Sequence, residues 1–135
     1  MQRTISVRGR ADPATAWARY RSTARWPGWA PQIRAVDPPE ADLRVGLRGT
    51  VFGPLGLRVP FVVDAVDDDD RSWSWTVHVA PITVRMRHVV RPTPTGSRTA
   101  LTVTGPWAVC VTYPLVARCA LRRLVAPGPP GALTT

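Results

Sequence analysis

Residues Arg3 to Arg10 alternate, with Ile5 and Val7 on one face and Thr4, Ser6 and Arg8 on the other, the pattern of a half-buried strand. Asp12-Pro13 then starts a helix. The Asp12 carboxylate can accept from the free amides of the first turn and Pro13 suits the first helical position, with Trp17 and Tyr20 following at helical spacing. Ser22 is a candidate cap for a second helix, which Pro27, Gly28 and Pro31 keep short. Six more strands are predicted: Gln32 to Val36, Leu47 to Phe52, Leu57 to Val66, Ser72 to Val79, Ile82 to Arg91 and Arg98 to Thr104. Between them stand Pro38-Pro39, Gly53-Pro54-Leu55-Gly56, the run Asp67 to Asp70, and Pro94-Thr95-Gly96, all turn chemistry at hairpin spacing. From Pro106 to Val125 the period changes to that of a helix, and Trp107, Cys110, Pro114, Ala117, Leu121 and Leu124 form one apolar stripe. Pro114 should kink this helix or mark its true start.

Strands joined by short loops pair antiparallel, so the pattern predicts an α+β domain: a seven-stranded antiparallel sheet, two short helices after its first strand and a long C-terminal helix. With 135 residues there is material for one domain, assigned to residues 1–126, and the tail 127–135, rich in Pro and Gly, is expected to be disordered. No apolar run reaches the length of a membrane span, and the charged, strand-like N-terminus is unlike a signal peptide, which makes the cytoplasm the expected compartment.

The segments ISVRGRADPATAWARY, ARWPGWAPQIRAV, VGLRGTVFGPLGLRVPFVVDAV, RSWSWTVHV, RHVV, TGPWAV and YPLVARCALRRLV, in this order, resemble the START-related SRPBCC superfamily, close to its polyketide cyclase/dehydrase branch. The resemblance covers nearly the whole chain and implies the helix-grip fold, in which a curved sheet wraps the long helix and encloses a cavity. For function it implies a small hydrophobic, polyketide-like or aromatic ligand and the setting of secondary metabolism.

Within such a cavity, strand parity decides which side chains face the ligand. Trp73, Trp75, Val77 and Val79 share one face of their strand; Val84, Met86, His88 and Val90 point in while Arg85 and Arg87 point out; Val59, Phe61 and Val63 point in. Cys110, Tyr113, Pro114 and Ala117 look from the helix toward the sheet. Two residues carry candidate chemistry. His88 is either a general acid/base, since imidazole titrates near neutral pH, or a histidine bonded to a carbonyl at a strand end. Tyr113 either donates to a ligand carbonyl or developing enolate, or packs with its hydroxyl at the rim. Phe61, Trp73, Trp75, Met86, Trp107 and Cys110 are the candidate ligand-binding residues, the aromatic rings offering flat walls or simply filling the core.

Other chemistries lack their signatures: there is no nucleophile elbow, no GxGxxG after a strand, and no CxxC or HExxH, so neither cofactor nor metal is expected. Cys110 and Cys119, about 13 Å apart on a regular helix, are too far apart for a disulfide. The four aspartates are read as a solvated turn rather than a cation site, and His78 as a surface residue.

Charge adds a partner. The 18 arginines exceed nine acids by +9; ten of them accompany all nine acids through Asp70, and eight follow from Arg71 onward with no carboxylate. The cationic half suits an acidic partner, and for a cyclase working on a tethered chain that is an acyl carrier protein. Nucleic acid ranks below it, because the aromatic residues fall on buried faces instead of interleaving with exposed Arg. Two functions remain in competition: positioning and proton transfer that cyclise or dehydrate the ligand, or non-catalytic binding of a lipid or metabolite.

Overall fold

The computed structural model describes residues 1–79 and 81–127. The tail expected to be disordered therefore lies, from 128 on, outside the described residues. Seven strands form one antiparallel sheet: β1 (Gln2–Gly9), β2 (Ala35–Asp37), β3 (Arg48–Phe52), β4 (Arg58–Asp67), β5 (Ser72–Val79), β6 (Ile82–Thr93) and β7 (Gly96–Thr104), in the spatial order β1-β7-β6-β5-β4-β3-β2. Neighbours from β2 to β7 follow the chain, and β1 closes on β7 with Ile5 opposite Leu101. Where β4 meets β5 the register slips between Val63 and Ala65. The bulged Asp64 turns outward to accept from Thr76 Oγ1 at 2.7 Å.

Helix α1 (Pro13–Arg21) begins as its sequence requires, with the Thr15 amide donating to Asp12 Oδ1 at 2.8 Å. The bond holds the Asp12 carboxyl below its usual pKa. Ser22 makes no side-chain cap; a 3₁₀ turn (Thr23–Arg25) leads instead into the four-residue α2 (Trp26–Trp29). β2 is also shorter than predicted, because Gln32 and Ile33 belong to the turn before it.

Helix α3 (Trp107–Leu124) runs through Pro114 without ending there. A proline at this position has no amide to offer the Cys110 carbonyl, which accepts from Arg3 Nη1 at 3.5 Å. The far end of α3 is fastened more firmly. Arg19 Nη1 donates to the carbonyls of Leu124 and Ala126, both at 2.7 Å, serving acceptors that a helix C-terminus leaves over. The Ala11 amide donates to the Val125 carbonyl at 2.9 Å. Ala117, Ala120, Leu121 and Leu124 are buried here, so the C-terminal half of α3 packs into the core.

Parity in the sheet holds: Phe61, Val63, Trp73, Trp75, Val77, Val84, Met86, His88 and Val90 are buried while Arg85 and Arg87 are exposed. The acidic turn after β4 is more than solvated. Asp68 accepts from Trp17 Nε1 at 2.8 Å, and Asp70 lies 3.0 Å from Arg91 and 3.7 Å from Arg87. With Arg85 at 3.9 Å from Asp64, three arginines of the cationic half are thus matched by carboxylates of the first half.

A cavity under the N-terminal half of the long helix

Where α3 stops packing tightly, a cavity opens. It measures about 420 Å³ and lies between the N-terminal half of α3 (Val109, Thr112, Tyr113, Val116), the inner face of β4 to β6, and the loop from Gly53 to Leu57. Its walls are overwhelmingly apolar: Val51, Val59, Val77, Val84, Met86 and the ring of Trp75 among them. Leu57, Val79 and Val116 are exposed at its margin. Volume and lining suit a small hydrophobic molecule.

Behind it, sharing Gln32, Ile33, Trp75 and Tyr113, is a second void of about 20 Å³, walled also by Trp26, Trp73, His88 and Leu121. That is room for one group the size of a water molecule. Around this void stand stacked and edge-on rings: Trp73 lies 4.6 Å from His88 with planes 11° apart, Trp26 stacks on Trp73 at 5.6 Å, and Phe61 meets Trp75 at 5.3 Å.

His88 is bonded at both nitrogens. The Trp75 indole can only donate, so at 3.2 Å it makes His88 Nε2 the acceptor and leaves the proton on Nδ1. Nδ1–H then donates to the Tyr20 hydroxyl at 3.2 Å, Tyr20 to Thr99 Oγ1 at 2.6 Å, and Thr99 to the Val89 carbonyl at 3.0 Å. Burial pushes the imidazole down to about 3 and the Tyr20 phenol up.

The candidate residues divide accordingly. Trp75, Met86 and Tyr113 line the cavity, and Trp73 and His88 reach only the void behind it. His88 reaches only the void behind the main cavity and is bonded at both ring nitrogens, because the strand pairing that turns it inward also sets it beside the Trp75 indole and against Tyr20. Phe61 is core, packed on Trp26 and Trp75. Trp107 is 70% exposed, at the edge of the apolar stripe beside Val111 and Leu115, and faces away from the cavity. Cys110 is buried against the chain start, its Sγ 3.3 Å from the Met1 carbonyl, and touches neither space. Its partner in sequence, Cys119, is exposed, and both are free thiols.

Sequence reasoning missed Gln32, which lines both spaces. Read as part of a strand, it gave no signal; it faces inward because the chain turns there. Its Oε1 is buried without a hydrogen-bond partner. Tyr113 has its hydroxyl pKa raised by burial, with the Gln32 side chain opposing.

Residues 1–126 match the model of the family described as polyketide cyclase / dehydrase and lipid transport. The chain belongs to this family. Solved structures agree on the fold. A protein of Bacillus thuringiensis superposes with a TM-score of 0.76 at 15% identity, covering 93% of this chain and 96% of that one. One from Mesorhizobium loti gives 0.74 at 17%, covering 92% and 96%. Ara h 8.0201 gives 0.74 at 15%, covering 92% and 94%. At such identities the likeness shows the helix-grip fold alone. Among the curated proteins none matches. The family supports ligand binding in general, and no helix among the described residues is long and apolar enough to cross a membrane.

Proposed function

We propose that this family member binds a small, predominantly apolar ligand in the cavity under α3 and holds it without covalent chemistry. The observation that carries this reading is the lining: about 420 Å³ walled mainly by aliphatic side chains and Trp75, with Gln32, Thr112 and Tyr113 as its polar side chains and no carboxylate, histidine or arginine among the described residues facing it. Proton transfer needs a group whose pKa lies near the working pH, and the one inward histidine is held neutral in a closed network.

A second reading, cyclisation or dehydration of a polyketide-like substrate, is favoured by Tyr113, whose phenol borders the cavity. Under it the walls fold the chain, Tyr113 donates to an enolate, and an acidic acyl carrier protein delivers the substrate to the Arg118, Arg122 and Arg123 end of α3. Those three arginines form no salt bridge among the described residues, whereas Arg85, Arg87 and Arg91 do.

Incubation with a short poly-β-ketone thioester, followed by chromatography, separates the two. The binding reading expects the compound to be retained and its cyclisation rate to match that in buffer. An acceleration of about a hundredfold or more that Tyr113→Phe removes would replace it with the cyclase reading.

A further inference from the structure

Two buried side-chain atoms have no hydrogen-bond partner among the described residues: Gln32 Oε1, an acceptor, and Trp73 Nε1, a donor. Both side chains line the same void of about 20 Å³ adjoining the apolar cavity. Trp73 is 2% exposed, so its indole N–H has no recourse to bulk solvent. Of the other polar groups of this region, the Trp26 and Trp29 indoles donate to the Tyr20 and Arg19 carbonyls and the Trp75 indole to His88, while the Tyr113 hydroxyl stands against the Gln32 side chain.

From this pairing we infer that the site selects a hydrophobic ligand carrying a neutral hydroxyl at its leading end, an alcohol, phenol or enol. The inference rests on the binding reading above and names the ligand's polar group. A hydroxyl is the small group that both accepts, as Trp73 Nε1–H requires, and donates, as Gln32 Oε1 requires, and it is the size of the void. A carbonyl would leave the Gln32 oxygen unpaired. An ammonium would leave the Trp73 N–H unpaired and meet no carboxylate, and a carboxylate would meet no cation, His88 being neutral and bonded at both nitrogens. Tyr113, against Gln32, lines the same void.

The test compares 1-naphthol with 1-methylnaphthalene, near-isosteres in which a methyl replaces the hydroxyl, by isothermal titration calorimetry. Burial alone orders them with the hydrocarbon first. The inference expects the naphthol to bind at least about tenfold more tightly, a difference of about 1.4 kcal/mol. Gln32→Leu should erase that preference while leaving 1-methylnaphthalene binding intact, and near-ultraviolet circular dichroism establishes that the variant is folded. Gln32→Glu, which keeps an acceptor, provides a second variant expected to retain part of the preference. If wild type binds both compounds with the hydrocarbon equal or ahead, or if the preference survives Gln32→Leu, the hydroxyl inference is overturned and the binding reading stands. If neither compound binds, the binding reading itself fails.

Discussion

The Trp75 indole donates to His88 Nε2 across 3.2 Å, and this one bond decides what the histidine can do. It fixes the tautomer and passes the proton at Nδ1 to Tyr20. Protonating Nε2 would turn the bond into two opposed donors inside a wall of aromatic rings, which reinforces the cost of burying the charge. His88 is thereby a structural link between β5, β6 and α1.

His88→Phe should cost about 2–4 kcal/mol in urea unfolding, since the Trp75 and Tyr20 polar groups lose their partner in a dry setting. Affinity for 1-methylnaphthalene, which carries no hydroxyl to place in the void beside His88, should change by less than about threefold. A stable variant that loses binding would return His88 to the site.

Stability should fall in acid. With the folded-state pKa near 3 and the unfolded one near 6.5, the unfolded chain binds the extra proton between them. The contribution is therefore complete above pH 6.5 and is lost as pH falls through that window, with a slope approaching about 1.4 kcal/mol per pH unit from this group. Urea midpoints at pH 7, 6 and 5 measure it, and the His88→Phe variant should show a flatter dependence.

The two halves of α3 should respond differently to truncation. Leu121, 2% exposed, should cost about 2–5 kcal/mol on replacement by Ala. Val116→Ala, at the cavity margin, should cost less than about 1 kcal/mol. Equal costs would mean that α3 packs evenly and roofs no cavity.

Much of this fold was legible because its signals are local. Asp12-Pro13 starts α1, period-two alternation orients β4 to β6, and the stripe from Cys110 to Leu124 buries α3. The site was legible only in part. Parity tells which side chains point inward but not whether they meet a cavity or one another: Trp75 and Met86 line the cavity, Phe61 packs on Trp26 and Trp75, and His88 reaches only the void behind it. Gln32 was lost because a turn has no period, and Trp107 was misplaced because a helical stripe defines its own edge poorly in the first turn. The charge asymmetry along the chain is partly cancelled in space, where Asp64 and Asp70 reach Arg85, Arg87 and Arg91. No linear reading of charge contains that pairing.

The central claim, that the space under α3 receives a small apolar ligand, is tested most directly by filling it. Titration of N-phenyl-1-naphthylamine, whose emission rises in apolar surroundings, into wild type and Val77→Phe reports occupancy, Val77 being a buried wall residue on β5. Saturable one-to-one binding to wild type is predicted, weakened at least about tenfold in a Val77→Phe variant that still unfolds cooperatively. Absence of binding to wild type, or equal binding to both proteins, would contradict the account.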